Sequence, residues 1–155
     1  MKKCFLFMFC FLLLAGIVFG EPKAKSPAKK TVPELQKILT GTGLPYKIVN
    51  DSLAVIPYEG ENIASYQVII QKVSDLFIVF TNLTEALPGT IDDSKYKFLL
   101  QQNDHFDIVK IGMSAEDNTM YLRADIYRTG TNAVLLKRVI SQVANVTNIL
   151  AGELK

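Results

Sequence analysis

Leu76-Phe77-Ile78-Val79-Phe80 is an unbroken run of apolar, mostly β-branched and aromatic side chains, closed off by Ser74-Asp75 before it and Thr81-Asn82 after it. Its length and composition make it a strand. A strand with one wet face alternates apolar and polar residues, and this one does not. Either both of its faces are covered by the chain itself, or its outer face docks on something else. The preceding stretch, residues 66–73, is also β-rich, and the Ser74-Asp75 break between the two predicts an antiparallel hairpin.

Working outward toward the N-terminus, residues 46–49 and 53–56 form a second pair of β-rich runs flanking Asn50-Asp51, residues that tolerate the left-handed backbone of a tight turn. A polar loop containing Glu59-Gly60-Glu61-Asn62 links the two hairpins. Before them, Thr31 and Glu34 have capping-box spacing, with Pro33 in the first turn and Leu35, Ile38 and Leu39 on one face. This predicts a short helix over 32–40, stopped by Gly41 and Gly43.

Toward the C-terminus, Pro88-Gly89 marks a loop, and Asp92 or Asp93 can cap a helix that carries Tyr96, Leu99 and Leu100 at helical spacing and ends near Asn103. Val109, Ile111 and Met113 then alternate on one strand, and Leu122, Ala124 and Ile126 on the next, joined through the turn Glu116-Asp117-Asn118. Thr131 can cap a closing helix whose stripe Leu136, Val139, Ile140, Val143, Thr147 and Leu150 lies opposite Lys137, Arg138, Ser141 and Asn145. The fold class that follows is α+β, an antiparallel β-sheet packed with helices in the order α-β-β-β-β-α-β-β-α.

Residues 1–20 read as a secretory signal: Lys2 and Lys3 at the start, an apolar stretch from Phe5 to Phe19, and Val18-Phe19-Gly20 as a small-residue exit before Glu21. The stretch is shorter than the roughly 20 residues of a membrane span, so cleavage near Gly20 is expected over retention as an anchor. No cysteine directly follows Ala15-Gly16, which argues against lipid attachment. Both cysteines, Cys4 and Cys10, fall within the leader, so the exported product is expected to have no thiol or disulfide chemistry.

Of the 17 basic residues two are in the leader, and the remainder equal the 15 acidic ones, so no nucleic-acid partner is implied. Lys23, Lys25, Lys29 and Lys30 crowd residues 21–30, a Pro/Ala/Lys linker. The plain reading is a solvated tether; the alternative is weak contact with an anionic lipid or cell-wall surface. Residues 31–155 then suffice for a single domain.

Catalytic metal sites draw on several His, Cys and carboxylate ligands, and the chain has one histidine, His105, expected to be exposed just after a helix. Nucleophilic catalysis needs a serine and an acid brought to that histidine, and no Gly-x-Ser-x-Gly elbow is present. Gly41-x-Gly43 lacks the rest of a phosphate loop. The pairs Asp92-Asp93 and Glu116-Asp117 could serve as acid and base or as calcium ligands, yet a helix start and a hairpin turn hold carboxylates for structural reasons alone. No catalytic, metal or cofactor site is assigned.

The stronger candidate is a surface. On the strand from Met120 to Tyr127, one face presents Tyr121, Arg123, Asp125 and Tyr127. Aromatics interleaved with Arg suit a binding face, although an ordinary wet sheet face with an Arg–Asp pair has the same pattern. If Phe77 and Val79, or Ile78 and Phe80, share that face, the patch becomes apolar enough to require a partner. The candidate interaction surface is Tyr121, Arg123, Asp125 and Tyr127 with Phe77 and Val79.

The succession of elements, together with Leu76-Phe77-Ile78-Val79-Phe80, the helix Tyr96-Lys97-Phe98-Leu99-Leu100-Gln101-Gln102-Asn103, and the pair Ile108-Val109-Lys110-Ile111-Gly112-Met113 and Leu122-Arg123-Ala124-Asp125, resembles the type III secretion chaperone-like fold, including the YbjN-like bacterial proteins, over residues 31–152. The resemblance implies a small non-enzymatic protein that dimerises and holds extended partner segments on apolar surface. Secretion chaperones of this type act in the cytosol and are acidic, whereas this chain carries an export signal and a balanced charge. The expectation is therefore an exported envelope protein that binds a polypeptide partner or itself. The alternatives are a small-ligand or lipid carrier, which needs an enclosed apolar cavity, and an enzyme with an unfamiliar carboxylate site.

Overall fold

A computed structural model describes residues 32–87 and 89–154. The expected leader, the 21–30 linker and the Thr31 cap lie outside the described residues. None of the described helices is long and apolar enough to cross a membrane.

The elements are α1 (Glu34–Thr40), β1 (Lys47–Asn50), β2 (Leu53–Tyr58), β3 (Tyr66–Val73), β4 (Leu76–Asn82), α2 (Leu83–Ala86), α3 (Asp93–Gln101) continued by a 3-10 turn (Gln102–Asp104), β5 (Lys110–Met113), β6 (Met120–Tyr127) and α4 (Ala133–Glu153). The strands form one six-stranded sheet in the order β1-β2-β3-β4-β6-β5, every pair antiparallel. The chain leaves β4 through α2 and α3, forms β5 at the far edge, and returns through a hairpin to lay β6 beside β4.

The apolar run of β4 therefore sits in the middle of the sheet, between β3 and β6. Its alternate members Phe77, Val79 and Thr81 point to one face, together with Ala54 and Ile56, Val68 and Ile70, Ile111, Leu122 and Ala124. Over that face runs α4, whose buried stripe is the one expected from spacing, with Ala144, Val146 and Ala151 added. It packs across β3, β4 and β6, while α1 leans on it through Leu35 and Leu39. All of these side chains join one core; burying each large aliphatic chain is worth about 1.5–3 kcal/mol.

Several local expectations shift. The first helix starts at Glu34, because Pro33 at its N-cap is extended, at φ −54° and ψ 143°, and makes no side-chain cap; proline also biases Val32 away from helix. In the first hairpin the Asn50 side chain closes the turn by accepting from the Ser52 N–H at 2.9 Å. Strand β1 thus extends through Asn50 and carries a bulge between Ile48 and Asn50. Asn132, rather than Thr131, caps α4 by accepting from Leu135 N–H at 2.9 Å, and the Thr131 hydroxyl donates to the Tyr127 carbonyl instead. On α3, Leu99 is fully buried but Leu100 is 50% exposed, and Met113, expected beside Val109 and Ile111, is 50% exposed where β5 runs out. The short helix α2, capped by Asn82 on Glu85 N–H, was not expected.

Two tertiary contacts fix the long connections. The 59–65 loop is tied to α4 by Asn62, whose N–H donates to Asn148 Oδ1 at 2.9 Å and whose amide donates to the Asn148 carbonyl at 3.1 Å. The fit is close, since a Cβ on Gly60 would lie 2.3 Å from Asn148 Oδ1 and one on Gly152 2.7 Å from Asn62 Nδ2. At the other end, Arg128 joins Glu34, the Ser74 carbonyl and, through its own N–H, the Asp75 carbonyl. This holds Ser74 at a left-handed φ of 52° in the β3–β4 turn.

Candidate interaction surface

Because side chains alternate across a strand, covering one face of the sheet with helices defines the residues of the other. The register gives one full row across it: Lys47 opposite Val55, Val55 opposite Ile69, Ile69 opposite Phe80, Phe80 opposite Arg123, and Arg123 opposite Lys110. A second row holds Leu53, Gln71, Ile78 and Asp125, and a third pairs Val73, Leu76 and Tyr127. The middle of this face is apolar, with Val55, Ile69, Ile78, Phe80 and Leu76 half-buried by their neighbours within the sheet; Lys47, Lys110, Gln71 and Asp125 stand around it, and Val73 and Tyr127 are exposed at one end.

Tyr121, Arg123, Asp125 and Tyr127 all lie on this open face. Phe77 and Val79 do not: they are 1% and 0% exposed and belong to the core beneath α4. The pleat assigns the apolar contribution of β4 to Ile78 and Phe80 instead, the other of the two sets the strand offered. Nor do the two tyrosines form one cluster. They are six residues apart, about 20 Å along the strand, with Tyr127 at 70% exposure beside Leu76 and Tyr121 at the opposite end.

The polar members have set geometry. Arg123 Nε and Nη2 donate to Asp125 Oδ1 and Oδ2 at 2.6 and 2.7 Å, a bidentate pair along one strand, and the bonds from Asp125 raise the guanidinium pKa further. Tyr121 lies over Gly112 on the edge strand: a Cβ there would sit 2.6 Å from the ring. An isolated glycine in an alternating strand is the sequence mark of such a close approach, and Gly112 was the missed signal. Tyr121 thereby separates two shallow hollows. One, of about 250 Å³, is floored by Ile78 and Phe80 and rimmed by Asn82, Ser114 and Asp117; the other, of about 370 Å³, opens between Arg123 and Lys110 toward the edge.

Of the two acidic pairs, Asp92-Asp93 and Glu116-Asp117, one member of each is engaged locally. Asp92 accepts from the Ser94 hydroxyl at 2.6 Å and Lys95 N–H at 3.0 Å as the cap of α3. Asp117 accepts from Thr119 N–H at 3.0 Å in the β5–β6 turn. Bonds from the Ser94 hydroxyl to Asp92, and from the Ser114 hydroxyl to Asp117, hold both carboxyls below the usual range, so near neutral pH both are anions. His105 is exposed after the 3-10 turn, its N–H donating to Gln102. Among the described residues no group of three or more His, Cys, Asp or Glu is placed to hold a metal ion.

No protein-family model and no curated sequence matches the chain. Solved structures do. A chain of the heterodimeric complex ExoU-SpcU from the type III secretion system of Pseudomonas aeruginosa is similar at 16% identity and a TM-score of 0.53, over 77% of this chain and 96% of that one. YbjN of E. coli, a proposed transcription regulator, is similar at 12% identity and a TM-score of 0.53, over 77% of this chain and 86% of that one. The six-stranded antiparallel sheet with helices on one face is thus the type III secretion chaperone-like fold, shared with YbjN.

Proposed function

We propose that this chain is an exported, non-enzymatic binding protein whose open sheet face takes up a polypeptide, either a second copy of itself or a segment of a different protein. The observation that carries the reading is the uncovered middle of the sheet. Val55, Ile69, Phe80, Ile78 and Leu76 are contiguous across three strands, β2, β3 and β4, and no helix among the described residues lies over them.

That arrangement has the anatomy of an interface, an apolar centre within a polar rim. Six strands spaced about 4.8 Å apart and about 20 Å long give a face of roughly 500 Å², against about 800 Å² per partner in a standard complex. A partner therefore either wraps beyond the face or binds transiently. The similar ExoU-SpcU structure is a heterodimeric complex, which supports a protein partner. A lipid or small-ligand carrier needs an enclosed apolar site, and the hollows on this face are open to solvent.

The test is the solution mass and co-purifying partners of the wild-type chain beside an Ile78→Glu, Phe80→Glu double variant. Loss of a dimer, or of a stoichiometric partner, in the variant supports the face. An unchanged mass and unchanged partners refute it. Export is checked separately by intact mass after expression with residues 1–20 in place: a product beginning near Glu21 supports it, and an uncleaved chain in the cytosolic fraction refutes it.

A further inference from the structure

We propose that the hollow between the β5–β6 turn and the open sheet face seats a lysine or arginine side chain of the polypeptide partner. The inference rests on the face reading above and specifies its chemistry. The hollow, about 250 Å³, has an apolar floor of Ile78 and Phe80 and the Tyr121 ring as one wall, with Asn82, Ser114 and Asp117 on one side of its rim and Arg123 also lining it. Its charges are unequal in availability. The Arg123 guanidinium is held by two bonds to Asp125, so that cation and that carboxylate offset each other. The Asp117 carboxylate receives bonds from neutral groups, the Ser114 hydroxyl, the Thr119 N–H and hydroxyl and its own backbone N–H. The ion pairs among the described residues are Arg123–Asp125 and Arg128–Glu34, and neither includes Asp117.

A cationic side chain matches this distribution end to end. Its aliphatic stem covers Ile78 and Phe80 while the charged head stays at the wet rim, within reach of the Tyr121 ring face and the Asp117 anion. A purely aliphatic guest leaves Asp117 uncompensated, and an acidic guest is repelled by it. The rim is also set in advance. Ser114 N–H donates to the Thr119 carbonyl at 2.9 Å and Asn118 N–H to the Ser114 carbonyl at 3.0 Å, so little ordering remains to be done on binding.

The experiment titrates the whole protein into a fluorescein-labelled, β-prone host peptide whose single guest position is lysine, norleucine or glutamate, and reads anisotropy at low and high salt. Lysine should bind about two- to five-fold more tightly than norleucine at low salt, the range of a solvent-exposed ion pair, and glutamate should bind most weakly. The lysine preference should fall to about one in the Asp117→Asn variant, whose amide oxygen still accepts the Thr119 N–H, and in about 1 M salt. Norleucine equal to or tighter than lysine, or a lysine preference that survives Asp117→Asn, overturns the inference while leaving the face reading intact. Binding by none of the three peptides overturns the inference, while the face reading is decided separately by the solution mass and partners of the Ile78→Glu, Phe80→Glu variant.

Discussion

The edge strand β5 should pair with another strand, yet its middle residue is already occupied. Ile111 N–H donates to Asn103 Oδ1 at 2.6 Å, and Asn103 Nδ2 donates to the Ile111 carbonyl at 3.0 Å. The carboxamide thus stands where the backbone of a seventh strand would be. Replacing Asn103 by Ala removes both bonds. At about 1 kcal/mol net for each, and with water able to reach part of the vacated edge, the loss should be about 1–2 kcal/mol. That corresponds to a fall in Tm of roughly 4–8 °C for a domain of this size. Asn103→Leu, similar in volume but unable to bond, should lose nearly as much. Urea denaturation with an unchanged m-value gives the magnitude, and amide exchange at Ile111 gives the place: its protection should drop about tenfold in both variants. If Asn103→Leu is as stable as the wild type, or Ile111 exchanges at an unaltered rate, packing rather than edge capping is what Asn103 provides.

Four further outcomes follow from named contacts. Gly112→Ala places a methyl about where the Tyr121 ring now lies and should cost about 1–3 kcal/mol; in a Tyr121→Ala background most of that cost should vanish, which a double-mutant cycle measures. Ser74→Gly should stabilise by about 0.5–1 kcal/mol, because relief of a left-handed serine, about 1–2 kcal/mol, exceeds the entropy that glycine adds to the unfolded chain; an unchanged urea midpoint would contradict this. Asn148→Ala should loosen the 59–65 loop, raising amide exchange at Asn62 and lowering stability by about 1 kcal/mol. For Asp92, the folded pKa lies below the unfolded one, so its contribution is present above the ordinary carboxylate range and lost as pH falls through the folded value; carbon-detected NMR titration should show its midpoint below that of an unstructured Asp, and Asp92→Ala should abolish the acid-side dependence of α3 exchange.

The buried Tyr66 and half-buried Tyr58 give the matching alkaline limit. Their rings stack at 5.8 Å between centroids, and the Tyr66 hydroxyl donates to the Ala144 carbonyl at 2.9 Å. Burial pushes both phenols up, and at Tyr66 the neighbouring Tyr58 adds to the rise. With folded values above the unfolded ones, the stability they give is complete below pH about 10 and declines as pH rises through the folded values. Ultraviolet titration should therefore resolve two late-ionising tyrosines in the native protein that merge with the rest in urea.

What the sequence disclosed and what it withheld separate along physical lines. Strands β3, β4 and β6 and the buried stripe of α4 were legible because periodicity is local: Val68 and Ile70, or Leu136 and Ile140, announce a face whatever they pack against. The choice between Phe77 with Val79 and Ile78 with Phe80 was not, because an apolar run carries no phase, and only the position of α4 decides which set is covered. Asn103 reads as a helix end in the sequence, and its bonds to Ile111 become visible only once β5 lies against the 3-10 turn. Tyr121 was found from alternation, whereas its seat on Gly112 depends on the β5–β6 register, with Gly112 opposite Tyr121.

The two sheet edges and the open face together bear on how a partner is held. At β5 the outward groups of Ile111 are spent on Asn103, and Lys110 reaches past that edge to the Asn103 and Phe106 carbonyls. At β1, the other edge of the sheet among the described residues, the strand is four residues long, broken by a bulge between Ile48 and Asn50, and begins with a lysine. Short, bulged and charged edges are the devices by which sheets discourage strand addition. Among the described residues the apolar middle of the face has no such guard. Recognition through side chains on the face is therefore favoured over extension of the sheet. Addition of a partner should slow exchange little at Ile111 or in β1 while changing the methyl signals of Ile69 and Ile78. The opposite pattern, new amide protection at either edge with those methyl signals unmoved, would place the partner on the edge and overturn the argument.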